Sequence, residues 1–169
     1  MNLRLSFTWV GPVIFALPML INVAYALFPP AEKSASTGRV TRWVEVVEQS
    51  SRIVYLLLLT FAVSTDPLRR KSVWLALAAV FLVLYYIVWL RYFIGGRNVA
   101  LLGRPFLLVP VPLAVFPVLY FLCAAVWMGN LPAAVAMGIF GAAHLTVSVQ
   151  SLGRACAVPS GQRRRRREK

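Results

Sequence analysis

Five long apolar runs, at residues 6–28, 43–65, 73–93, 106–128 and 131–152, take up most of this 169-residue chain. A bilayer core about 30 Å thick is crossed by about 20 residues of helix rising about 1.5 Å each. Each run reaches that length. A segment in hydrocarbon must satisfy its own backbone N–H and C=O groups, and a helix does so internally. The runs lack the strict alternation of an outer-membrane barrel strand. The expected fold is therefore all-α: a polytopic membrane bundle of about five transmembrane helices over residues 1–153, with a basic cytoplasmic tail over 154–169.

Composition agrees with that class. The chain is 60% hydrophobic and only 14% charged, whereas a soluble domain carries roughly a quarter charged residues. No stretch is left over for a soluble domain. Arg4 and Ala24-Tyr25-Ala26 imitate the basic start and small-x-small cleavage site of a signal peptide. The run between them is too long for that role and is broken by Pro12, Pro18 and Asn22. It is expected to remain as the first span.

The basic residues set an expected orientation. Five spans put the termini on opposite sides. With the N-terminus outside, the inner loops and tail hold twelve basic residues, including Arg163 to Arg167, against four outside. The positive-inside rule then favours a cell-membrane protein with its C-terminus in the cytoplasm. The loop Asp66-Pro67-Leu68-Arg69-Arg70-Lys71 pulls the other way. A polybasic run beside a membrane is ordinarily attracted to anionic lipid. No aromatic-interleaved basic domain points to nucleic acid, which is not expected as a partner.

The polar residues gather at one end of the expected bundle. Span one ends with Asn22 and Tyr25. Span two begins with Glu45, Glu48 and Arg52, at i, i+3 and i+7 on one helix face, with Tyr55 continuing the line. Span three ends with Tyr85, Trp89, Arg91 and Tyr92, and Arg97 follows. Span five carries Gly141, His144, Ser148 and Ser151 along one face. Charge deep in a bilayer is unfavourable by roughly 2.5–3.5 kcal/mol, so such faces turn inward. A shared polar chamber on the cytoplasmic side is the result. Trp9, Trp74 and Trp127 mark the opposite water boundary.

This chamber suggests acid/base chemistry on an amphiphilic, lipid- or isoprenoid-like molecule. Glu48, the deeper acid, with Glu45 beside it, would exchange a proton with His144 as partner. Tyr85, Trp89 and Tyr92 offer π-faces to a developing cation. Arg52, Arg91 and Arg97 would hold an anionic head group. The bland alternatives are an amphipathic helix start, an aromatic belt and a structural histidine. With one histidine and two separated cysteines, Cys123 and Cys156, no metal set is expected, and no cofactor motif is present.

Span four opens through Pro105, Pro110 and Pro112, and Pro110, Pro112 and Pro117 each remove a backbone donor, which implies kinked first turns or a broken entry segment. Span five has small residues at Ala134, Gly138, Gly141 and Ala142, which permit close helix contact. That contact, with the basic tail, also fits a non-enzymatic small transporter or an accessory subunit. Its partner would be a second copy or a larger membrane protein.

The segments Tyr85-Tyr86-Ile87-Val88-Trp89-Leu90-Arg91-Tyr92-Phe93-Ile94-Gly95-Gly96-Arg97-Asn98 and Val109-Pro110-Val111-Pro112-Leu113-Ala114-Val115-Phe116-Pro117-Val118-Leu119-Tyr120, with Gly141-Ala142-Ala143-His144, resemble small bacterial multi-pass membrane proteins. The resemblance covers spans three to five. It implies a bacterial source and carries no activity.

Overall fold

The computed structural model describes residues 3–30, 42–65, 72–98 and 101–157, with side chains given except at 42–45, 48 and 150–157. Five helices dominate: α1 (Val10–Leu27), α2 (Arg42–Phe61), α3 (Val73–Ile94), α4 (Pro112–Trp127) and α5 (Leu131–Ala157). Two short strands, β1 (Leu3–Leu5) and β2 (Ala62–Ser64), pair antiparallel with Arg4 opposite Val63. The major packing runs α3 on α4, α4 on α5 and α5 on α2, with α1 laid across α2, α3 and α4. α1, α3 and the 131–149 stretch of α5 are long and apolar enough to cross a membrane. α4 is apolar but shorter, at 16 residues.

Two expected spans are shorter as helices than their apolar runs. The first run becomes helical only at Val10, and the second stops at Phe61. The reason is the C-terminus of α2, whose last carbonyls have no helical donor. The Ser6 and Thr8 N–H groups donate to the Phe61 and Thr60 carbonyls at 2.9 and 3.0 Å. Asn130 Nδ2 donates to the Leu58 and Ala62 carbonyls, both at 2.8 Å. The strand pair continues this capping. Gly11 allows it: a Cβ there would overlap the Leu59 carbonyl.

The fourth run also changes. Residues 106–111 are not helical, and Pro112 takes the first position of α4, where its missing N–H has no role to lose. Phe106 and Val109 instead exchange N–H···O bonds at 3.0 and 2.9 Å around a two-residue turn. Pro105 and Pro110 flank that turn directly. Of the two expected forms, a kink or a broken entry, the prolines give the broken entry, and they frame a hairpin there.

α4 joins α5 through a tight corner. The Gly129 N–H bonds the Val126 carbonyl and the Asn130 N–H bonds the Ala125 carbonyl, at 3.0 and 2.9 Å. This is the Schellman closure, with Gly129 at φ +65° where a glycine relieves the left-handed backbone. Asn130 then turns to cap α5, accepting from the Ala133 N–H at 3.0 Å. One buried side chain thus serves the start of α5 and the end of α2.

Tyrosine hydroxyls tie α1 to the bundle. Tyr120 donates to the Ile14 carbonyl at 2.9 Å. Pro18 lies four residues after Ile14 and has no N–H to offer that carbonyl. Tyr120 therefore supplies the bond that the proline removes. Tyr86 donates to the Leu17 carbonyl, Tyr85 to Asn22 Oδ1 at 3.2 Å and Tyr92 to the Phe28 carbonyl at 3.2 Å. α5 runs to Ala157, past the expected end of the bundle at residue 153; residues 158–169 of the expected tail lie outside the described residues.

Candidate functional site

The candidate residues of the expected polar chamber fall in or beside two buried clusters. Tyr85, Val88, Trp89, Tyr92 and Phe116 form one apolar cluster between α3 and α4. Tyr55 and Phe140 belong to another, larger one, built mainly by α2, α4 and α5 with Ile14 of α1 and Ala78 of α3. α4 packs against both α3 and α5 and supplies side chains to each cluster.

Arg52 and His144 come together on facing helices. The Arg52 guanidinium carbon lies 5.3 Å from the Phe140 ring centroid. The His144 ring stacks on Phe140 at 5.2 Å between centroids and 15° between planes. Arg52 and His144 are each half-buried, while Phe140 is buried. A guanidinium over an aromatic ring is held by the ring's quadrupole. The Phe140 ring thus has a guanidinium and an imidazole stacked against one aromatic side chain. Chemically, this pairs a bidentate anion donor with a proton carrier.

Phe140 was not among the sequence candidates. It lies four residues before His144, so helical spacing places both on one face. Its apolar character hid it among the neighbouring core residues. Glu48 sits four residues before Arg52 on α2, and Glu45 seven before; their side chains lie outside the described residues.

Tyr85, Trp89 and Tyr92 are 4%, 6% and 0% exposed, which places them in a packed interior instead of a belt. Tyr25 of α1 joins them, 5.2 Å from Trp89 and 5.4 Å from Tyr92 between ring centroids. The Tyr85 and Tyr92 hydroxyls are used in bonds to α1. Trp89 Nε1 is buried and makes no hydrogen bond among the described residues. The Tyr85 hydroxyl is within electrostatic reach of it, but the geometry falls short of a hydrogen bond. These rings act first as the joint between α1 and α3.

Arg91 and Arg97 lie apart from Arg52. Arg91 is half-buried with its guanidinium carbon 5.4 Å from the Phe106 ring centroid. Arg97 is exposed in the turn after α3, at φ +59°. Among the described residues, no group of three or more His, Cys, Asp or Glu side chains has the grouping of a metal site. No protein-family profile, curated protein or solved structure matches the chain.

Proposed function

We propose that the chain is an integral membrane protein that binds, and by acid/base chemistry transforms, an amphiphilic molecule with an anionic head. The observation that carries this reading is the convergence of Arg52 and His144 on Phe140. His144 lies within the apolar 131–149 stretch of α5, and an ionisable side chain inside such a helix is unfavourable to keep and marks a functional site by default. Arg52 holds the phosphate or carboxylate of the head, and His144 exchanges a proton with the bound molecule. Glu48, one turn from Arg52, is the proposed second proton carrier. The membrane location is supported by large apolar side chains turned outward, among them Leu20, Val23, Val80, Val83, Leu90, Val135 and Ile139. Lipid is their natural solvent, since water would leave an unbroken apolar surface exposed. By the charge count of the loops and tail, the C-terminus is cytoplasmic.

The test is mass spectrometry of small molecules retained after gentle detergent extraction. Wild type is compared with Arg52→Gln and His144→Ala. An anionic amphiphile held by wild type and lost from both variants supports the site. Identical retained molecules in all three samples overturn it.

A second reading rests on a different face of α5. Gly138 and Ala142 are exposed and four residues apart, and no atom lies within 4 Å of a Cβ built on Gly138. Gly141, in contrast, is used internally against Val118 of α4. The exposed small pair suits close approach of another helix, as in a homodimer or an accessory subunit. Gly138→Ile would then abolish oligomers seen by light scattering in detergent, and a monomeric wild type argues against this reading.

A further inference from the structure

The turn at Leu107 and Leu108 combines two unfavourable features. Both residues have positive φ, at 49° and 65°. Two-residue hairpin turns of this kind favour Asn-Gly, because bulky side chains fit the left-handed region poorly. Both leucines also point away from the protein, at 63% and 101% exposure. Asn-Gly would keep the turn and relieve the backbone. Leucine adds one property that Asn-Gly lacks, an apolar tip directed outward.

The tip is held firmly in place. Pro105 and Pro110 restrict the chain on either side. At its base, the Phe106 ring meets Phe116 of α4 edge-on at 6.2 Å and lies under Arg91 of α3. Exposed cations stand nearby in sequence: Arg104 three residues before the tip, and Arg97 beyond the end of α3. Ile94, the last residue of α3, is 78% exposed. An apolar tip beside exposed cations has the chemistry of the bilayer boundary, where acyl chains meet anionic phosphates.

We propose that the Leu107–Leu108 turn is a lipid anchor, seated in the acyl-chain boundary while Arg97 and Arg104 reach headgroup phosphates. This rests on the membrane reading above and is independent of the Arg52–His144 site. The anchor fixes the α3–α4 connection at a set depth in one leaflet.

The experiment is site-directed spin labelling in vesicles of phosphatidylcholine and phosphatidylglycerol. Leu108→Cys, Arg104→Cys and Val83→Cys are made singly in a background of Cys123→Ala and Cys156→Ala. Oxygen partitions into lipid, and a nickel chelate stays in water. The expected result is a label at 108 relaxed by oxygen and shielded from nickel, as at Val83, with the reverse at 104. A label at 108 as open to nickel as that at 104 overturns the anchor. Shielding from both reagents at 108 means that protein covers the tip, and overturns it equally. A nickel-accessible label at Val83, which is exposed midway along α3, would overturn the membrane reading itself.

Discussion

Asn130 shows how much one side chain can hold. It is 1% exposed and makes three hydrogen bonds, to the start of α5 and the end of α2. Replacing it by alanine removes a cap and strips donors from two carbonyls, so Asn130→Ala should lower stability by about 2–4 kcal/mol. Asn130→Asp keeps the capping oxygen but turns a second oxygen toward the Leu58 and Ala62 carbonyls. It should be at least as damaging, which thermal unfolding in detergent will check; a neutral Asp variant contradicts this account. Tyr120 makes a different kind of bond, because Pro18 leaves the Ile14 carbonyl without a helical donor. Tyr120→Phe should cost about 1 kcal/mol. In a Pro18→Ala background, residue 18 regains its N–H and much of that loss should vanish, a coupling that a double-mutant cycle measures. Asn130 was not among the sequence candidates, although it stands just before an apolar run and two residues before Pro132. Its second task was not legible, because its partners lie 68 and 72 residues away.

The helices themselves were legible from apolar length, and their ends were not. Residues 62–64 read as the close of a helix because they are apolar and small. They form a strand because β1 offers a ladder that the local pattern does not reveal. The proline cluster before α4 was legible as a kink or a broken entry, but the Phe106–Val109 hairpin that forms the entry was not. That hairpin yields a prediction at this scale. Leu107→Asn with Leu108→Gly relieves left-handed backbone worth about 1–2 kcal/mol per residue, so it should melt higher in detergent than Leu107→Ala with Leu108→Ala, which removes the same apolar tip but keeps side chains at the left-handed positions. Equal or lower melting than that alanine pair contradicts strain at the turn. Gly11 sets the approach of α1 to α2. Gly11→Val should separate these helices and destabilise the protein by about 1–3 kcal/mol.

At the scale of the whole molecule, α1 lies on the outside of the bundle but is tied to it: tyrosines of α3 and α4 reach three of its residues and its C-terminal cap, Phe28. A chain beginning at residue 29 should therefore fail to yield monodisperse protein on size exclusion, whereas a detachable leader would leave a folded remainder. The charge count predicts that a reporter working only in the cytoplasm is active when fused to the C-terminus and one working only after export is inactive; the opposite pattern would invert the orientation. The sequence by itself determined an all-helical chain with long apolar helices, because length and hydropathy are local sums along the chain. It raised the expectation that Arg52, His144, Tyr85, Trp89 and Tyr92 stand toward one end, because alternating spans would impose that geometry. Only the tertiary structure decided which of them meet, since α4 packs on both α3 and α5. The tyrosine–tryptophan stripe meets α1 on one side, and Arg52 meets Phe140 and His144 on the other. Helical periodicity says which residues share a face of one helix; which faces meet is settled by packing between segments distant in the chain.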